Sequence, residues 1–208
     1  MISWAITTHN EGEYIQTLLD QLVPFCAESG DEIIVVDDYS TDELTVSLLD
    51  TYAADGTIKL FKHALNKDFA SHKNYLTEQC SGDYIFQIDA DETLNPNLLK
   101  YIHDIVDNNT HVDLFYIPRV NVVTGITEDD IQRYGWTQNA LGWIQWPDYQ
   151  TRLYKNSPDI KWEGAVHERI VGFKTTAPLP AEEEWALYHL KHIERQRLQN
   201  DFYSTLQR

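Results

Sequence analysis

Asp89-Ala90-Asp91-Glu92 places two carboxylates two residues apart, directly after the apolar run Tyr84-Ile85-Phe86-Gln87-Ile88. That run reads as a buried strand, and its carboxyl end is where open α/β sheets bind ligands. Hard oxygen ligands there suit Mg²⁺ or Mn²⁺, and such an ion suits a diphosphate. A polar strand-to-helix turn with solvated acids would have the same look, so the rest of the chain carries the weight.

Three further polar clusters could do chemistry, two of them directly after apolar runs. Thr7-Thr8-His9-Asn10-Glu11 comes after the first, Ile2 to Thr7. Short polar side chains there can meet a base or a ribose, or simply cap the next helix. Asp37-Asp38 follows Ile33-Ile34-Val35-Val36. One carboxylate can accept from a uracil N–H or a ribose hydroxyl while the other serves an Asx-type turn. His72-Lys73-Asn74 sits one turn into a helix, where Lys73 offers a point charge to a phosphate or lies solvated. No G-x-G-x-x-G follows the first strand and no G-x-x-x-x-G-K-[ST] occurs anywhere, which argues against a dinucleotide fold and a P-loop.

The elements that must position these residues alternate. Strands are expected at Ile2 to Thr7, Ile33 to Val36, Ile58 to His63, Tyr84 to Asp89 and Leu114 to Val123. Tyr14, Ile15, Leu18, Leu19 and Leu22 recur at helical spacing, with Pro24 as the expected stop. Ser40-Thr41-Asp42-Glu43 has the form of a capping box. Phe69 to Gln79 reads as a helix. Asn95-Pro96 supplies an N-cap and a first-turn Pro for a helix whose stripe is Leu98, Leu99, Ile102, Ile105 and Val106. This order implies a mostly parallel sheet flanked by helices. Beyond Gly125 regularity fails, and Gly, Pro and Trp dominate up to Pro180. Trp185 to His192 reads as a last strand or an ordered loop. Glu194 to Gln207 reads as a helix with Leu198, Phe202 and Leu206 on one face.

At 208 residues the chain can bury a full core. A formal net charge of −17 disfavours long-range attraction to nucleic acid or anionic membrane. The start has no basic n-region, and no segment reaches the length of a membrane span. Cys26 and Cys80 form neither a disulfide framework nor a metal spacing, so reduced core thiols and a cytoplasmic location are expected.

Taken in order, Thr7 to Glu11, Val35 to Asp42, Asp68 to Asn74 and Ser81 to Glu92 resemble the glycosyltransferase family 2 motifs of the GT-A fold. The resemblance covers residues 1–123, with Tyr39 and Lys73 standing where the family usually has Gly and Arg. It implies a Rossmann-like, mostly parallel central sheet with an irregular acceptor-side C-terminal half, divided as residues 1–123 and 124–208 of one domain. It also implies sugar transfer from a nucleoside diphosphate donor, usually with inversion, at Mn²⁺ or Mg²⁺. Thr7, Thr8, Asn10, Glu11, Asp37 and Asp38 would line the nucleoside pocket, and Lys73 would approach the base or diphosphate. Asp89 and Ala90 would lie at ribose or metal, with Asp91 as the metal ligand. UDP-sugar is the preferred donor, since a carboxylate such as Asp38 can pair with uracil N3–H, and GDP-sugar stays open.

Trp146 to Tyr154 and Trp162 to Glu168 resemble the W-P-D-x-Q-x-R-L-F and V-H-E segments of lipopolysaccharide-core type members. Inversion needs a base for the acceptor hydroxyl proton. Asp148 is the first choice and Glu163 and Glu168 are the reserves. Arg152 would stabilise the diphosphate or orient Asp148. His167 would complete the metal site, with His189 and His192 in competition. Trp136, Trp143, Trp146 and Trp162 offer flat faces to a sugar ring, two of them being expected in a core. Glu128-Asp129-Asp130 reads as a solvated, mobile loop. The rivals are a sugar nucleotidyltransferase, which would need a Gly-rich basic loop after strand one, and a non-catalytic sugar- or protein-binding module of the same fold.

Overall fold

The computed structural model describes residues 1–198. In chain order the elements are β1 (Ile2–Thr8), α1 (Gly12–Ser29), β2 (Glu32–Asp37), α2 (Glu43–Ala54), β3 (Lys59–Lys62), α3 (Phe69–Glu78) and β4 (Tyr84–Asp89). There follow β5 (Glu92–Leu94), α4 (Pro96–Asn108), β6 (Leu114–Ile117), β7 (Arg119–Thr124) and α5 (Glu128–Tyr134). The last are β8 (Gln150–Lys155), β9 (Lys161–Glu163), β10 (Arg169–Val171), β11 (Thr176–Pro178), a 3₁₀ turn at Glu183–Trp185 and β12 (Leu187–His192). The chain gathers into two compact units, one of Met1–Asp91 with Arg152–Thr175 and one of Glu92–Thr151 with Thr176 onward. The expected halves, 1–123 and 124–208, cut across both.

Unit 1 is a sheet in the order β8-β4-β1-β2-β3, parallel except for β8. Its central strands β1, β2 and β4 are buried almost throughout, as parallel strands covered on both faces are. Trp4 is fully buried, stacked on Phe86 at 4.8 Å and met edge-on by Phe25 at 5.9 Å. Parallel register sets Thr7 beside Val36 and Asp89, and Thr8 beside Asp37. Three strand ends thus deliver polar residues to one edge.

Unit 2 has a three-stranded sheet, β5-β12-β7, and a β6–β11 pair. β12 runs antiparallel to β5 and parallel to β7, so His189 lies between Glu92 and Asn121 in register. Leu98, Leu99, Ile102 and Val106 of α4 are buried, and Asn95 caps it as its sequence promised.

Local expectations fail where tertiary contacts outweigh them. Pro24 does not end α1, which continues to Ser29 because Phe25 meets Trp4 and Cys26 is buried, until Gly30 at φ 77 closes it. Leu114 to Val123 is not one strand. Pro118, lacking an N–H, breaks it into β6 and β7, and its carbonyl accepts from Leu187 N at 2.8 Å. The cap of α2 is Asp42, accepting from Thr45 N, rather than Ser40, which serves another turn. Glu128-Asp129-Asp130 is no mobile loop but the first turn of α5, inside a capping box with Thr127. Asp130 there is buried and also takes Arg197 at 2.8 Å.

Residues 193–198 turn helical as expected; the rest of that expected helix, with Phe202 and Leu206, lies outside the described residues. Cys26 and Cys80 are free thiols, both pushed up to about 12, chiefly by burial, so neither is a ready nucleophile. No described helix is long and apolar enough to cross a membrane.

Candidate functional site

At the carboxyl edge of unit 1 the loops after β1 and β2 are latched together. Asn10, itself at φ 55, accepts from Thr41 N and Asp42 N through Oδ1 at 2.7 and 3.0 Å. Its own N–H donates to the Ser40 hydroxyl at 2.9 Å. Asp37 is buried and accepts from Ser40 N at 2.9 Å. These two residues build the turn. Asp38 Oδ1 accepts from Leu65 N at 2.9 Å, while His9 Nδ1 meets the Asp38 carbonyl at 2.7 Å. The half-buried Asp38 and Thr7 stay at the surface of this edge. Thr8 is buried, with a hydroxyl that has no hydrogen-bond partner among the described residues. Glu11 occupies the N-cap position of α1 without a side-chain cap bond. Tyr39, where a Gly was noted as usual, keeps the left-handed conformation at φ 51 and is 56% exposed.

Asp89 ends β4 and is ion-paired to the buried Arg152 of the antiparallel neighbour β8. Arg152 therefore attends the D-x-D and not Asp148, as one of its two expected roles required. Lys73 is also buried. Its Nζ lies 2.6 Å from Glu168 Oε1 and 4.3 Å from the centre of the Trp162 ring. The β9–β10 hairpin brings Glu168 there, its turn anchored by Phe69 N donating to the Ala165 carbonyl at 2.9 Å and its strand by Asn74 bonding the Trp162 backbone at both N and O. His167 sits in that turn at φ 57.

No three described His, Cys, Asp or Glu side chains gather closely enough to hold a metal ion. Asp89 and Asp91 by themselves fit Mg²⁺ or Mn²⁺, because such ions are held by one or two carboxylates plus substrate phosphate and water. A cleft of about 520 Å³ in unit 1 lies along α3 between Tyr75, His63 and Glu163. It contains none of Asp38, Asp89 and Asp91, so chemistry and not volume locates the candidate site. Beside the cleft, His72 and His63 meet at 3.2 Å between Nδ1 atoms. Burial, the largest influence, pushes His72 down.

In unit 2 Asp148 is held on several sides. Arg119 donates from Nε and Nη2 to Asp148 Oδ2 at 2.9 and 2.6 Å, and Asn121 Nδ2 reaches the same oxygen at 2.8 Å. Gln150 Nε2 donates to Oδ1 at 2.9 Å. Arg119 Nη1 also reaches the fully buried Glu92 at 2.7 Å, and His189 Nδ1 meets Asn121 Oδ1 at 2.8 Å. Burial alone would raise the Asp148 carboxyl, but the Arg119 charge and the bonds from Asn121, Arg119 and Gln150 outweigh it. The net effect holds the group below its ordinary value, as a ready-ionised carboxylate.

Sequence reasoning reached Asp148 but missed Arg119, Asn121 and Gln150 as its partners. Their signal was the period of two: Arg119 and Asn121 share one face of β7, and Asp148 and Gln150 are likewise two apart. Of the four clustered tryptophans, Trp162 is buried in unit 1 and Trp136 packs against the Val123, Ile144 and Ile193 cluster of unit 2. Trp143 and Trp146 stay half-buried, as an edge-to-face pair 4.9 Å apart in the loop before Asp148.

The sequence profile of the family described as "Glycosyl transferase family 2" matches residues 3–174. The chain belongs to glycosyltransferase family 2. This family 2 chain is 24% identical over 191 residues to the SPbeta prophage-derived glycosyltransferase SunS of Bacillus subtilis, covering 90% of the chain and 39% of SunS. It is 32% identical over 97 residues to the lipopolysaccharide core biosynthesis glycosyltransferase LpsC of Rhizobium meliloti, covering 47% of the chain and 34% of LpsC. The chain therefore spans about two fifths or less of the length of these relatives. Among solved structures, S. aureus TarS 1-349 superposes with a TM-score of 0.63 at 20% identity, over 91% of this chain and 60% of that one. The same protein in complex with UDP-GlcNAc gives 0.61 at 21% identity, over 91% and 58%. The shared architecture is the GT-A fold.

Proposed function

We propose that this family 2 chain transfers a sugar from a nucleoside diphosphate donor, with UDP-sugar preferred, to an acceptor hydroxyl with inversion. One observation carries the reading: parallel register sets the β1, β2 and β4 ends side by side, with Asp38 just after β2 and Asp89-Ala90-Asp91 at and just after the end of β4. Two acid clusters on one edge suit a nucleoside at one and a metal-bound diphosphate at the other. The superposition on a UDP-GlcNAc complex of TarS supports the same donor class.

Asp38 accepts from the base or ribose. Asn10 and Asp37 keep that loop in place through the bonds described above. Asp91, with Asp89, would hold Mn²⁺ or Mg²⁺, and the ion supplies neutralisation of charge on the departing diphosphate. Arg152 offsets the Asp89 charge. Lys73 reaches the diphosphate only by giving up Glu168, so donor binding exchanges one anion partner for another. Asp148 takes the acceptor proton while the acceptor oxygen attacks the anomeric carbon. The bond to phosphate oxygen breaks, and the diphosphate leaves with the electron pair. A low carboxyl pKa makes Asp148 a weak base that is always ionised at neutral pH.

A thermal-shift screen of nucleotides with and without Mn²⁺, followed by a UDP-sugar transfer panel, tests the reading. UDP with Mn²⁺ should raise the melting temperature, and Asp91→Ala should abolish that gain. Pyrophosphate release from a sugar phosphate and NTP would point instead to a nucleotidyltransferase. Donor binding without turnover on any acceptor would leave a binding module.

A further inference from the structure

The Asp148 carboxylate has a different partner set on each oxygen, and that asymmetry carries information. An ionised carboxylate offers about four lone-pair sites. Oδ2 receives three donors, Arg119 Nε, Arg119 Nη2 and Asn121 Nδ2, at 2.9, 2.6 and 2.8 Å. Oδ1 receives only Gln150 Nε2, at 2.9 Å. No other hydrogen bond to Oδ1 is made by a described residue.

The donors on Oδ2 are themselves held. Arg119 is clamped at its other end by Glu92, which is fully buried and cannot follow a moving partner. Asn121 is buried, and its amide can point only one way. The Nδ2 side faces a carboxylate oxygen, so the Oδ1 side must accept, and His189 carries its proton on Nδ1 to donate there. His189, Glu92 and Asn121 stand in one row across β5, β12 and β7, a rigid platform for side chains that must not drift.

We propose that Arg119, with Asn121 and His189 behind it, is a positioning device that locks Asp148 by Oδ2 and leaves Oδ1 as the atom that receives the acceptor proton. The inference rests on Asp148 being the base. It adds which oxygen works and which residues aim it. The charged and titratable groups facing Asp148 are Arg119 from β7, Glu92 behind it on β5 and His189 of β12 through Asn121. Burial, the largest single influence, is opposed at this carboxyl by Arg119 and the amide bonds together, so loss of the guanidinium leaves burial less opposed and the titration moves up.

The first measurement needs no substrate. Carboxyl-carbon NMR titration of the full chain, with Asp148→Asn to assign the signal, should find Asp148 titrating below an ordinary aspartate. Arg119→Met takes the guanidinium from the buried Glu92, so the paired variant Glu92→Gln/Arg119→Met is the one to titrate. Its Asp148 midpoint should rise by about one to three pH units. Asn121→Ala should raise it less, while kcat falls about ten- to a hundredfold with donor KM unchanged.

The second measurement uses the donor turned over in the panel above. The acid limb of kcat/KM should rise in the paired variant by as much as the NMR midpoint. An unmoved midpoint overturns the inference, and so does an unmoved acid limb in an enzyme that needs Asp148. If Asp148→Asn leaves turnover intact, the base assignment fails, whatever the midpoint does.

Discussion

Unit 1 and unit 2 each hold acidic side chains proposed for sugar transfer, and they assemble them differently. In unit 1 the carboxyl ends of β1, β2 and β4 each supply their own short cluster, and a cluster's contacts reach mostly into the next strand's loop. Asn10 latches Thr41 and Asp42, and Asp89 takes Arg152 from the adjoining strand. In unit 2 one arginine joins carboxylates at 92 and 148, and the residues around it come from positions 121, 150 and 189. A parallel strand delivers its site residues in one run of sequence, whereas unit 2's mixed small sheet collects them singly from distant segments. A single change should therefore cost a unit 1 loop little in folding and should cost unit 2 much.

Substitutions at the two sites can break that contrast. Asp91→Ala should lower sugar transfer about a thousandfold, from several kcal/mol of lost charge stabilisation, while the urea midpoint stays near wild type. A large loss of stability would show that the D-x-D is also structural. Arg119→Met should destabilise by about 3–5 kcal/mol, since it leaves Glu92 buried without its cation. Adding Glu92→Gln should recover most of the loss in the same urea experiment. If it does not, the network is not what makes unit 2 sensitive.

Glu32 sharpens the comparison, because it is a networked carboxylate inside unit 1 at the opposite, amino end of the strands. It bonds the Ser3 hydroxyl, Lys59 and both the N–H and hydroxyl of Ser81. Burial opposes its ionisation most strongly, but those bonds, led by Lys59 and Ser3, bring it from 4.5 down to about 2. A depressed carboxylate contributes stability that is present above its unfolded value and lost as pH falls through its folded one. Unfolding free energy should therefore decline between pH 4.5 and about 2, and Glu32→Gln should flatten that decline.

The two smallest effects probe the motif loops of unit 1. Asp42→Ala removes the cap on Thr45 N and should cost about 1 kcal/mol. Tyr39→Gly relieves a non-glycine residue at φ 51. It should stabilise by about 0.5–1 kcal/mol, the left-handed penalty less the glycine entropy. A loss of stability on Tyr39→Gly would mean that the exposed ring makes a contact worth more than its strain.

The legible parts of this fold are those written in contiguous sequence. Asn95-Pro96 announces α4 because a cap and its helix are neighbours in the chain. Three of the four nucleotide-side motifs run to the ends of their strands and just beyond for the same reason, and the fourth, Asp68 to Asn74, caps and opens α3. Misreadings arose where a distant partner outbid a local signal. Pro24 lies inside α1 because Trp4 and a buried Cys26 reward continuation. Asp130 looked solvated because Arg197, which pairs with it, is 67 residues away. Arg152 was expected at the diphosphate or beside Asp148, and strand pairing brought it to Asp89.

Strand periodicity, caps and ordered motifs determine, from the sequence alone, a GT-A family 2 chain with acids at the ends of its parallel strands. They do so because each signal is local and reads out over a few residues. Which charges meet was decided only in three dimensions: Lys73 with Glu168, Arg152 with Asp89, and Arg119 between Glu92 and Asp148. Ion pairs depend on the register of strands far apart in the chain, and a buried cation takes the carboxylate that this register leaves within reach.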